Sequence, residues 1–354
     1  MAVLQAGDHG GLIATTIRDL GRMKFTDAMS DYQNTIVLKR LMKKNKISFD
    51  GGYEIQFNVK PNAGTSVRWV GLYATDVVNA EDSMIQATVP YRHITWNYIF
   101  DRREPIFNSG AAKVVDLIKQ RRIHEMVGAV EEFERRFWRF PASTDTTRPF
   151  GLPYWCVKST TAATTANDGF NGTVQSGYST VAGINPTTYD RWRNYTDVYT
   201  STTDTDLVEK IERMSDYTDF MPMVDDIPTY ATGEDKGYYT NRTVRQAMKA
   251  ILEGNNDNLG FDLDPTHGKL TYRRAPIVWV KELEQDTSSY AFYQIDWSVF
   301  KTAGLRGEWM KETVQEKLHG QHTVDAVHTD CSFNWICYDR RKLGVISINA
   351  NELS

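Results

Sequence analysis

The chain has no excess of charge of either sign. Its 41 basic and 45 acidic residues leave a formal net of -4. A dedicated nucleic-acid binder carries a basic excess or stripe, so strong intrinsic binding of DNA or RNA is excluded as its main role. It lacks an apolar run of about 18 residues, which rules out a membrane-spanning helix in the sequence pattern. Met1 to Gly21 has no basic start followed by a long apolar stretch, so no secretory signal is visible. There are only three cysteines, Cys156, Cys331 and Cys337. Cys331 and Cys337 are six residues apart on an expected strand, about 20 Å at strand rise, too far for a disulfide. All three are expected as small buried hydrophobes in a reducing compartment.

Catalytic motifs are missing as well. No G-x-G-x-x-G follows a strand, and no G-x-x-x-x-G-K-[ST], H-E-x-x-H or G-x-S-x-G is present. His319 and His322, with Glu316 and Asp325, make an undistinguished metal set. Acidic pairs such as Glu131-Glu132, Asp225-Asp226 and Asp262 with Asp264 are what a chain this rich in carboxylates shows by chance. The expectation is no enzyme, no cofactor and no metal.

Aromatics are plentiful, with 9 Trp and 18 Tyr. The most informative stretch is Gly51 to Tyr73. Tyr53, Ile55, Phe57 and Val59 alternate with Glu54, Gln56, Asn58 and Lys60, the period of a half-buried strand. Lys60-Pro61-Asn62-Ala63-Gly64 is turn chemistry, and Val67, Trp69 and Tyr73 mark a return arm. The stretch is expected as one extended hairpin with little nearby sequence to bury it. An isolated two-stranded hairpin is marginal in water. A partner is needed, and a second copy of the chain can supply it.

Residues 1–24 are Gly-rich and weakly patterned, as in an adaptable arm. A helix is expected over Asp27–Lys46, with Lys39, Arg40, Lys43, Lys44 and Lys46 at its C-terminal end, where cations complement the helix dipole. A solvated helix end is the plainer account of that cluster. Ile85–Phe100 is strand-like. A long helix is expected over Gly110–Arg139, with Asn108 or Ser109 as N-cap and an apolar stripe of Val115, Ile118, Met126, Val130, Phe133 and Phe137, broken at Arg122. It would be about 40 Å long, a strut rather than a bundle helix. Residues 141–181, rich in Thr, Ser, Gly and Asn, are expected as loop. Helices follow at 206–220 and 243–253, and strands at 269–283, 290–300, 322–338 and 343–348. No regular βαβ rhythm is present, so the class is α+β.

The order of these elements resembles the major capsid protein of tailed bacteriophages, with its HK97-type fold. Ala182-Gly183-Ile184-Asn185-Pro186 leading into Trp192-Arg193-Asn194 is similar to a segment of many such subunits. So is the ending Phe333-Asn334-Trp335-Ile336-Cys337-Tyr338-Asp339-Arg340-Arg341-Lys342-Leu343-Gly344-Val345. The resemblance implies an N-terminal arm with its leading helix (1–46), an E-loop hairpin (47–80), and a peripheral domain (81–199 and 319–354) with spine helix 110–139. An axial domain (200–318) completes it. It implies an icosahedral head that encloses phage double-stranded DNA, built from pentamers and hexamers of the chain. A separate scaffolding protein, a portal and a decoration protein are the implied partners, with weak contact to packaged DNA, no membrane, production in the bacterial cytoplasm and a final place in the virion. Tyr53, Ile55, Phe57, Lys60, Val67 and Trp69 are the implied E-loop contacts. An encapsulin-like compartment shell is the alternative within the fold. A glycan-binding or carbohydrate-active β-rich protein, using Trp and Tyr platforms, is the alternative outside it.

Overall fold

The computed structural model describes residues 31–42, 47–61, 67–73, 75, 84–107, 117–220, 235–254, 270–317 and 319–351. The architecture is α+β: two large sheets, one two-stranded ribbon and few helices.

The first sheet is organised by one long strand, β13 (Val324–Cys337). On one side it pairs antiparallel with β4 (Arg92–Asp101) through ten residues, from Val324↔Asp101 to Phe333↔Arg92. On the other side it takes β10 (Phe300–Leu305), β11 (Lys311–Glu312) and β12 (Glu316–Lys317) in turn. β1 (Ile47–Asp50) adds to β10 in parallel. The second sheet runs in the order β5 (Tyr195–Val198), β14 (Gly344–Ser347), β9 (Phe292–Asp296), β6 (Lys236–Thr240), β8 (Ala275–Trp279), β7 (Thr271–Tyr272).

Period-two alternation divides the second sheet between two cores. Tyr239, Tyr293 and Val345 face the large core shared with the first sheet. Their neighbours Tyr238, Phe292 and Ile346 face a smaller core. That smaller core is closed by helix Glu209–Tyr217, through Ile211 and Met214, and helix Arg242–Gly254, through Val244 and Met248. Such alternation is what a strand imposes when both of its faces are covered.

The long helix spans Leu117–Phe137, and the expected positions before it, Val115 included, lie outside the described residues. Its second half is core. Phe133 stands edge-on to Phe333 at 5.2 Å, and Phe137 packs on Trp297, Phe300 and Trp335 at 5.6, 5.9 and 5.4 Å. Its first half is not. Ile118 and Val130 are half-buried and Met126 is 45 % exposed, so the expected stripe holds only at Phe133 and Phe137, with Ala129 added. The reason is at Arg122, where the stripe breaks. Arg122 pairs with Glu312 at 2.7 Å across a cleft of about 370 Å³, and that cleft, lined also by Trp96, Tyr98 and Met310, replaces closed packing beneath Met126.

Two further expectations are corrected. The helix expected over 27–46 is described only as Ile36–Leu41, preceded by non-helical residues from 31. Thr35 supplies no side-chain cap. The free N–H groups of Ile36 and Val37 instead donate to Glu134 of the long helix, at 3.1 and 2.9 Å. The loop expected over 141–181 contains a core segment: residues 150–158 are all buried. Gly151 makes this possible, because a Cβ there would stand 2.0 Å from the Arg139 carbonyl oxygen at the end of the long helix. β10, β11 and β12 belong with β13, while β5 and β14 lie in the second sheet.

Candidate functional site

β2 (Glu54–Val59) does not return on residues 67–73. It pairs antiparallel with β3 (Ile85–Pro90), from Glu54↔Pro90 to Val59↔Ile85. The reason is burial. The alternating apolar face of β2 needs a partner that is itself anchored in the core, and β3 supplies Ala87 and Val89, both fully buried. Ile55 is 2 % exposed, and Phe57 stands edge-on to Tyr338 at 5.2 Å. The ribbon is tied further by Thr88 N–H donating to the Ala182 carbonyl at 3.0 Å. Gly183, at φ 80°, passes beside Thr88 in a turn that a side chain rarely adopts. Ile55 and Phe57 are therefore contacts within this chain. The face of β2 expected to lie on a neighbour lies on its own core.

Among the described residues between β2 and β3, Val67, Trp69, Leu72 and Tyr73 are 89–103 % exposed, and Tyr53, just before β2, is 91 % exposed. Lys60 is exposed where β2 ends. Of the nine tryptophans only Trp69 is exposed; Trp138, Trp155, Trp192, Trp297 and Trp335 are buried, and Trp96, Trp279 and Trp309 are half-buried.

The stretch Trp192-Arg193-Asn194 is a structural junction built around Arg340. That guanidinium is fully buried and donates to the carbonyls of Trp155, Trp192, Gly172 and Thr173 and to Asn194 Oδ1, at 2.7–3.3 Å. Burial pulls its pKa down to about 10. The Trp192 indole donates to the Val181 carbonyl at 3.1 Å, and Asn194 Nδ2 donates to Val157 O at 2.9 Å. Nothing in the sequence marked Arg340 as buried, because it sits among Asp339, Arg341 and Lys342 like a surface charge run. A second buried cation, Lys158, donates to Asp286 and Ser289 Oγ, both at 2.8 Å, and to Asn351 O at 2.6 Å. Burial pushes Asp286 up, and the Lys158 ammonium and Ser289 more than offset it, so its carboxyl titrates below the usual range.

The acid-base and metal candidates do not come together. His319 and His322 are exposed on a turn, and Glu131 accepts from Asp31 N–H at 2.7 Å. Glu132 accepts from Arg135 and Arg136. Asp225, Asp226, Asp262 and Asp264 lie outside the described residues. Among the described residues no group of three His, Cys, Asp or Glu side chains could hold a metal, and no helix is long and apolar enough to cross a membrane. The three cysteines are free and buried.

No family model matches the chain, and no curated protein matches it. Solved structures do. A chain of the cyanophage A-1(L) capsid asymmetric unit has a TM-score of 0.60 at 14 % identity, covering 96 % of this chain and 99 % of that one. A chain of the native GTA particle capsid has a TM-score of 0.57 at 9 % identity, covering 99 % and 100 %. A chain from Gordonia phage Cozz has a TM-score of 0.51 at 12 % identity, covering 99 % of each. The resemblance drawn from element order is borne out at the level of the fold: this chain is built like phage capsid subunits from end to end.

Proposed function

We propose that this chain is a phage major capsid protein, which assembles with copies of itself, as pentamers and hexamers, into a closed icosahedral head around double-stranded DNA. One observation carries the proposal: exposed apolar side chains in the segment that joins the two strands of a ribbon anchored in the core. Val67, Trp69, Leu72 and Tyr73 stand in solvent, while Ile55, Ala87 and Val89 of the ribbon are buried. Contiguous exposed apolar surface marks an interaction site. An icosahedral shell needs the same chain to meet neighbours in more than one geometry, and a tethered segment on a fixed body supplies that.

In this scheme residues 1–46 are the arm and leading helix, and the segment joining β2 and β3 is the E-loop of an HK97-type subunit. The long helix is the spine, lying with the first sheet in a peripheral region. The second sheet and its two helices form the axial region. Tyr53, Lys60, Val67 and Trp69 are the inter-subunit contacts. The protein does no catalysis and takes no cofactor. A net charge of -4 suits weak, salt-sensitive contact with packaged DNA. A separate scaffolding protein, a portal and a decoration protein are the further partners, and the virion is its destination after synthesis in the host cytoplasm. Expression with its scaffold followed by negative-stain microscopy tests this. Closed particles tens of nanometres across, on the order of phage heads, are expected from curved, repeated self-contacts. A monodisperse monomer under every assembly condition would refute it.

A further inference from the structure

Between the start of β4 and the second half of the long helix lies a cleft of about 240 Å³. Arg92, Arg136 and Arg148 line it together, over a floor that includes Ile94, Phe133 and Phe333. Two of these arginines have carboxylates. Glu132, itself on the cleft wall, accepts from Arg136 Nε at 2.5 Å and from Arg135 at 3.0 Å. Asp145 pairs with Arg148 at 3.2 Å. Arg92 has no carboxylate partner among the described residues. One of its terminal nitrogens donates to the Thr146 carbonyl, its guanidinium stands 5.6 Å from the Phe150 ring centre, and its Nε is buried with no acceptor. The three guanidiniums that line the cleft stand against two carboxylates, Glu132 and Asp145, which leaves one positive charge there, in a chain that is negative overall. A buried donor without an acceptor is costly, and structures rarely leave one.

We infer that this cleft binds a carboxylate borne by an apolar peptide segment: an Asp or Glu with an aliphatic neighbour, from another protein chain. The planar fork of a guanidinium matches a carboxylate. The Ile94, Phe133 and Phe333 floor takes the neighbouring aliphatic side chain, whose burial a bare anion could not exploit. A cleft of this size admits a side chain and excludes a DNA duplex, which presents its phosphates on a wide convex surface. The site stands whether or not the chain forms a shell.

The test uses the purified full chain and ligand-observed NMR titrations with three probes: acetyl-Leu-Glu-Leu-amide, acetyl-Leu-Gln-Leu-amide and inorganic phosphate. The Glu peptide should bind at least about tenfold tighter than the Gln peptide, the size of one charge-assisted contact. Phosphate should bind no better than the Gln peptide. Arg92→Gln should abolish the Glu-over-Gln preference. Arg148→Gln, on a half-exposed side chain at the rim, should reduce it without disturbing the buried wall, so the test survives if Arg92→Gln fails to fold. Equal binding of the two peptides, no saturable binding of either, or phosphate binding tighter than the Glu peptide would each overturn the assignment.

Discussion

Trp69→Ala removes an indole that its own chain leaves wholly in solvent. A tryptophan buries about 150–250 Å² when it docks. At about 25 cal/mol per Å² that is about 4–6 kcal/mol, and truncation of an anchor of this kind costs about 2–4 kcal/mol. Each 1.4 kcal/mol is tenfold in an equilibrium constant, so assembly should need a subunit concentration roughly 30- to 700-fold higher. Folding should be nearly untouched, since exposed substitutions away from special features stay within about 0.5 kcal/mol. Ile55→Ala is the contrasting variant. Ile55 is 2 % exposed within its own core, so its truncation should cost the monomer about 2–5 kcal/mol. The assays are light scattering against subunit concentration, with microscopy of the products, and urea unfolding of the unassembled chain. If Trp69→Ala lowered the unfolding midpoint as Ile55→Ala does, or assembled at the parent concentration, the separation of clasp from core would be wrong.

Arg340→Met should destabilise the chain by about 3–5 kcal/mol in urea unfolding, because the carbonyls of Trp155, Trp192, Gly172 and Thr173 lose their shared donor inside the protein. Burial raises the Glu134 carboxyl above its usual value, even though the N–H groups of Val37 and Ile36 and the Trp138 indole oppose the shift. A raised carboxyl contributes stability that is present below the unfolded value, about 4.3, and lost as pH rises through the folded one. The parent should therefore gain stability relative to Glu134→Gln as pH is lowered through that window, read from urea midpoints at several pH values; a constant difference would refute it. Burial also pushes Cys331 up to about 11 and Cys337 well above its ordinary value. No thiol should react with Ellman's reagent in the native chain, and all three should react in urea.

The strands and helices were legible wherever a period ran for several residues. Alternation in Ile94, Trp96 and Tyr98 foretold β4, and the run through Phe333, Trp335 and Cys337 foretold β13. The segment 150–158 was not legible. Its apolar residues follow no period, since it is a short turn wedged at the end of the long helix, and its neighbours in sequence are Thr, Ser and Gly. The stripe on the long helix was half right, because periodicity reports which side chains share a face and not where the surface beneath them stops.

By itself the sequence determined the α+β class, the long helix and the strands at 85–100, 322–338 and 343–348, the thiols without disulfide geometry and the absence of a charge excess. Each of these depends on residues close in sequence or on counts alone. Only the tertiary structure decided that β2 pairs with β3 and not with residues 67–73, that Ile55 is core while Trp69 is surface, and that Glu134 caps a helix it does not belong to. A strand's alternation records that one face is to be buried, but every anchored edge satisfies it equally. Which edge wins depends on the combined burial of residues more than a hundred positions apart, as where Phe133 meets Phe333.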